Sequence, residues 1–181
     1  MILFLWFFFA PGPSYQYWVQ PCTSHAGSGC LADDPELADW AFDAWKQASG
    51  GKLGLTRVKD EQKAQLRLYW AGLKEGLYGE ARPITVDGKQ GAEVYVRPAE
   101  PGSDPLLRDA VVYLTCLHET GHALGLPHTS NFYDIMYSFQ FGGDIEEYFG
   151  RYRRKLKTRN DIRWNSGLSE FDRDRLRELL K

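Results

Sequence analysis

The order of hydrophobic patterns along the 181-residue chain predicts an α+β domain on a twisted mixed sheet of about four to five strands. Two observations carry this. Short alternating stretches crowd the N-terminal half, interrupted by one helical pattern. A long capped helical pattern then follows, with two more helical stretches after it.

SYQYWVQ (14–20) is aromatic-rich and reads as a first strand. In DDPELADWAFDAWKQA (33–48), Asp34 is placed as the N-cap and Pro35 at the first helical position. Leu37, Trp40, Ala41, Ala44 and Trp45 recur at helical spacing, and Gly50 and Gly51 end the run. KLGLTRV (52–58) and QLRLYWA (65–71) alternate like strands. PITV (83–86) and AEVYVRP (92–98) flank DGKQG, which predicts a hairpin. The next helix is capped by Ser103 or Asp104, carries Pro105 in its first turn and shows an apolar stripe of Leu106, Leu107, Ala110, Val111, Leu114 and Leu117. It stops at Gly125, with Pro127 beyond. Residues 144–157 place Ile145, Phe149, Tyr152 and Leu156 on one helical face, and LSEFDRDRLRELL closes the chain behind a Ser169–Asp172 capping box.

Composition bounds the function classes. With 43% hydrophobic and 25% charged residues the chain is an ordinary globular one, and its net charge of −2 offers no field for nucleic acid. ILFLWFFFA (2–10) is too short to span a bilayer, which needs about 20 apolar residues. It has the length of a signal-peptide core but lacks a basic start, so residues 1–13 are read as a signal or its remnant, the alternative being a leader packed on a domain at 14–181. The expectation is a secreted or cell-envelope monomer with no stable membrane span. Cys22 and Cys30 bracket a short polar loop and suit a disulfide; two free thiols, or a metal site with His25, are the alternatives. Cys116 reads as a buried hydrophobe.

Three of the four histidines lie in HETGHALGLPH (118–128). Histidines four apart share a helix face, so His118 and His122 can offer their imidazoles to one ion. Gly125 lets the backbone turn left-handed past His122, so that His128 can approach from off the helix. Three neutral imidazoles leave a fourth place for water, the arrangement of catalytic zinc. Glu119 is rotated off the metal direction yet within reach of that water, which makes it the candidate general base.

HETGHALGLPH followed by DIMY resembles the metzincin clan of zinc endopeptidases, and its matrixin-like branch in particular. The resemblance implies a metzincin-like zincin domain with a long zinc-binding helix and a C-terminal helix. Its activity would be hydrolysis of peptide bonds in a protein or peptide substrate by a metal-activated water, with one catalytic Zn2+. It makes Met136 an apolar floor beneath the site and not a ligand. It gives Asp172 a structural role, tying the last helix to the methionine segment, where Phe171 replaces a second aspartate of the family.

Departures are also visible. Ser138 stands where matrixins usually have proline, in the segment that lines the pocket for the substrate residue after the cut, and Tyr137 is one residue early for the tyrosine of other branches. With only His25 left over, the second, structural zinc site of animal matrixins cannot be built. Calcium is not indicated either, because DGKQG carries a lysine where carboxylates would be wanted. By the same resemblance, substrate would add as an antiparallel strand along an exposed sheet edge, for which AEVYV is the candidate. The basic stretch RYRRKLKTR (151–159) reads as a solvated face or as a rim attracting acidic substrates. Other readings of the whole are a zinc-loaded binding protein without proteolysis and a plain structural domain; intact Glu119 argues against the first of these.

Overall fold

The computed structural model describes residues 12–22, 28–72 and 79–181. The apolar run at 2–10, His25 and most of the loop between Cys22 and Cys30 lie outside the described residues. Those described form an α+β fold with a five-stranded mixed sheet and four α-helices. The strands are β1 (Ser14–Val19), β2 (Gly54–Arg57), β3 (Leu66–Trp70), β4 (Gly79–Val86) and β5 (Lys89–Val96), in spatial order β2-β1-β3-β5-β4. All pairings are parallel except that of β4 with β5, which is antiparallel from Gly79↔Val96 to Val86↔Lys89. No helix among the described residues is long and apolar enough to cross a membrane.

The β4–β5 hairpin is tighter than the sequence suggests. Asp87 and Gly88 alone make the turn, both at positive φ (50° and 75°), which matches the right-handed twist of the flanking strands. Residues 89–91 therefore extend β5. The edge assignment also changes, because AEVYV lies in β5 between β3 and β4, and the edge strands are β4 on that side and β2 on the other. Physics favours this order. Ala92, Val94 and Val96 of β5 are buried, whereas β4 carries Glu80, an exposed Arg82 and Pro83, which lacks an N–H for the ladder.

Helices α1 (Asp34–Ala48) and α2 (Pro105–Ala123) pack on each other, and α2 also packs on β4 and β5. The shared core holds Leu37, Phe42 and Trp45 of α1, Leu68, Trp70, Val94 and Val96 of the sheet, and Tyr113, Cys116 and Leu117 of α2. Trp45 keeps its indole N–H satisfied inside this core by donating to the Leu117 carbonyl at 2.9 Å. Asp104 caps α2, accepting from the N–H groups of Leu106 and Leu107.

Asp34 is not the cap of α1. It sits inside the first turn, fully buried, with Arg108 Nη1 and Nη2 at 2.6 and 2.8 Å from its two oxygens and the Leu31 N–H at 2.8 Å. A bidentate guanidinium outcompetes a capping bond for a buried carboxylate. Cys22 and Cys30 form a disulfide, so neither thiol is free for a metal, and Cys116 is a buried free thiol.

The last third differs in detail. Helix α3 spans Ile145–Arg153 and buries Tyr148 and Tyr152, while Ile145 is exposed. The basic stretch is neither fully solvated nor a free rim. Arg153 pairs with Asp104, Arg154 with Glu147 and Arg159 with Asp109, and Arg151 lies over the rings of Phe132, Tyr133 and Tyr148. Helix α4 (Glu170–Leu179) begins with the expected Ser169–Asp172 capping box.

Candidate metal centre

Helix α2 delivers the first two histidines, and its end delivers the third. Leu126 N–H donates to the Gly121 carbonyl at 3.0 Å and Gly125 N–H to the His122 carbonyl at 2.9 Å, with Gly125 at φ 97°. This is a Schellman ending, which needs a left-handed residue where glycine is best tolerated. The chain then doubles back over the helix. His122 Nδ1–H donates to the Leu126 carbonyl at 2.8 Å, and His118 Nδ1–H donates to the Ile135 carbonyl at 2.6 Å. A carbonyl can only accept, so both rings carry their proton on Nδ1 and turn the Nε2 lone pair inward.

The three Nε2 atoms form a nearly equilateral triangle, with His118–His122 at 3.1 Å, His118–His128 at 3.2 Å and His122–His128 at 3.0 Å. An ion about 2.0–2.1 Å from three nitrogens in tetrahedral geometry would hold them about 3.3 Å apart. The spacing thus fits a small cation, and the converging lone pairs require one or a proton. His118, His122 and His128 could hold a metal ion. The other trio of close donors, Cys22, Cys30 and Asp34, is already engaged by the disulfide and by Arg108. Burial holds all three histidines below their ordinary protonation range, His118 down to about 4.

The support beneath the triangle is built from the Met136 segment. Met136 is buried against α2 at Gly121, where a Cβ would stand 2.4 Å from the methionine sulfur. Thr129 N–H donates to the Met136 carbonyl and Ser138 N–H to the Thr129 carbonyl, fastening the strand after His128 to this turn. Asp172 accepts from the N–H groups of Ile135 (2.8 Å), Met136 (3.4 Å) and Ser169 (2.9 Å). The retained aspartate therefore does tie α4 to the methionine turn. Tyr148 is a support that spacing did not reveal. Its hydroxyl donates to the Asp134 carbonyl and reaches the Ile135 carbonyl that orients His118.

Glu119 lies beside the triangle, 7% exposed, with no hydrogen-bond or cationic partner among the described residues. Burial pushes its carboxyl up to about 7, and the negative charge of Glu80 adds to this. A cavity of roughly 330 Å³ opens at this point. Its polar end is His118, Glu119 and His128; its walls are Leu114, Tyr137, Phe139, Ile145, Tyr148 and Phe149. Ser138 lines it too, while the Tyr137 hydroxyl is committed to the Gly142 carbonyl at 2.7 Å. Gly79, at the start of the edge strand, touches Glu119 from the far side. Leu114 comes from α2 and the other walls from α3 and the segment before it, where no sequence pattern marked Phe139, Ile145, Tyr148 or Phe149 as site residues.

Comparison with models of known protein families and with curated proteins gives no match. The chemistry must be argued from the arrangement itself.

Proposed function

We propose that the chain is a secreted zinc-dependent endopeptidase with a metzincin-like catalytic domain of the matrixin branch. The observation that carries this reading is the Nε2 triangle with a buried Glu119 at its side that has no partner among the described residues, opening on an apolar cavity next to an antiparallel edge strand. Buried acids with displaced pKa in a cleft are the usual mark of a working site. A structural zinc site would close on a fourth protein ligand, and no such ligand stands near the triangle among the described residues. The Cys22–Cys30 disulfide supports export.

His118, His122 and His128 would hold the ion, and the Ile135 and Leu126 carbonyls keep two of the rings in the tautomer that ligation needs. Zinc bound there supplies Lewis acidity, which brings a water's pKa from about 15.7 to near 7 and polarises a carbonyl. Glu119 is matched to that task. Its carboxyl group lines the cavity beside His118 and His128, where it would take a proton from a water and return it to the leaving amine. As an edge strand, β4 is where a substrate strand would add, and the cavity would take one apolar side chain of it. Met136 stays beneath, shaping the floor without ligating.

The test is digestion of a peptide library by purified protein with and without chelator, read by mass spectrometry, alongside zinc analysis. One equivalent of zinc and chelator-sensitive cleavage are expected. Glu119→Gln should keep the zinc and lose about 10²–10⁴-fold in kcat, the range general acid–base catalysis supplies. A zinc-loaded parent that cuts nothing would leave a metal-holding binding protein, and a Glu119→Gln variant cutting at the parental rate would remove Glu119 from the chemistry.

A further inference from the structure

Among the described residues, Glu119 is held by walls and not by bonds. No donor among the described residues reaches its carboxylate, so its place depends on what surrounds it. One of those walls is Gly79, the first residue of β4. Residues 79 and 81 share a face of this strand, and Ala81 packs against the core, so this face lies toward α2. A Cβ built on Gly79 would stand 2.4 Å from both Cγ and Oε1 of Glu119 and 2.6 Å from its Cδ. Carbon atoms in contact rest about 3.5–4.0 Å apart, so a methyl group and the present Glu119 side chain exclude each other.

The backbone itself does not ask for glycine here. Gly79 is absent from the positive-φ residues, unlike Gly125, so any L-residue could adopt its conformation. Gly91, one strand over, makes the contrast plain. A Cβ there would strike the Gln65 backbone carbonyl at 2.1 Å, which is a constraint of the sheet. What a Cβ at Gly79 would strike first is the Glu119 side chain from Cγ outward and not a backbone atom, and a side chain can change rotamer where a strand cannot shift. The restriction falls on where the carboxylate sits.

We infer that Gly79 is a positioning residue for Glu119: its missing side chain is the space that lets the edge strand close over the helix with the carboxylate between them. This rests on the proposed peptidase reading and deepens it. The three atoms nearest a Cβ on Gly79 all belong to Glu119 and none to a histidine, so zinc binding is expected to be independent of it. The strand that would carry substrate and the group that would move the proton are thereby set in register by one absent methyl group.

Gly79→Ala tests this in the zinc-loaded protein. The expected result is a fall of about ten- to a hundredfold in kcat, with KM, zinc stoichiometry and melting temperature close to the parent's, because a displaced base loses part of the 10²–10⁴ it supplies. A crystal structure of the variant should show Glu119 Cδ moved by about 1 Å or more, the distance needed to restore ordinary contact. The cycle with Glu119→Asp sharpens it. The shorter acid vacates the crowded space, so Gly79→Ala should cost much less in the Glu119→Asp background than in the parent. Equal losses in both backgrounds, or an unmoved carboxylate with parental kcat, would overturn the inference while leaving the peptidase reading intact. If the parent itself cuts nothing, the peptidase reading falls, and the displacement in the crystal then decides alone whether Gly79 sets the position of Glu119.

Discussion

Asp34 and Glu119 are two carboxylates buried in the same core, 1% and 7% exposed, and the protein treats them in opposite ways. Asp34 is surrounded by donors: both Arg108 amino nitrogens and the Leu31 N–H. Glu119 has a second acid, Glu80, as its nearest electrostatic influence and no donor among the described residues. A buried charge left without a partner is unfavourable by several kcal/mol and is removed from most interiors. Where it persists beside a cavity and three converging imidazoles, stability has been yielded for reactivity. The Asp34 region fastens α1 to α2, whereas the Glu119 region, in the proposed reading, is held ready to change its charge.

The largest effect should come from breaking the satisfied side. Arg108→Met leaves Asp34 buried and unpaired and also removes the guanidinium bonds to the Ala99 and Gly29 carbonyls. A loss of about 3–5 kcal/mol in unfolding free energy is expected from urea titration. Adding Asp34→Asn should recover the larger part, since the penalty is that of an orphaned charge. A single variant within 1 kcal/mol of the parent, on the order of a surface pair, would show that the interior there is wetter than its burial implies.

Next in size is the metal. If His118, His122 and His128 hold zinc as proposed, they do so only in the folded state, so zinc at about a thousandfold over Kd should add roughly 4 kcal/mol of stability, all of it removed by a chelator. His118→Ala should abolish most of that increment. If zinc raised the melting temperature of the His118→Ala variant as much as the parent's, the ion would be binding elsewhere and the contrast between the two regions would lose its functional half.

Both regions were legible in the sequence to different degrees, for a physical reason. The histidines, Gly125 and the Ser169–Asp172 box are local: helix period, a left-handed stop and a capping geometry each span fewer than about five residues. The α2 boundaries and the existence of the strands along the chain follow from the same short-range rules. Long-range choices do not. Asp34 looks like an ordinary cap until Arg108, 74 residues away, claims it. AEVYV alternates as an edge strand would, yet β3 pairs with it and leaves β4 outside. Gly79 and Tyr148 carry no motif at all, because their contribution is the space or bond they offer to a residue on another element.

The smallest predicted effect runs in the opposite direction and tests the unsatisfied side. Glu119 in the folded chain keeps its proton up to about 7, against an ordinary value of 4.5. The folded state thus binds a proton more tightly than the unfolded one, and the stability this contributes is full below 4.5 and lost as pH rises through 7. Glutamine at this position has no proton to lose. In chelator, therefore, Glu119→Gln and the parent should differ least near pH 5, and the variant should become the more stable of the two by pH 8. At about 1.4 kcal/mol per pH unit, the gap between the two values bounds the difference at about 3 kcal/mol. Thermal melts of both proteins at the two pH values measure it, and other titrating groups cancel in the difference. A gap that stays constant with pH would mean that Glu119 is hydrated or paired in solution, and the asymmetry between the two buried acids would disappear. A gap that widens identifies the carboxylate as a group the fold tolerates only at a loss, which is the condition a proton-transferring residue has to meet.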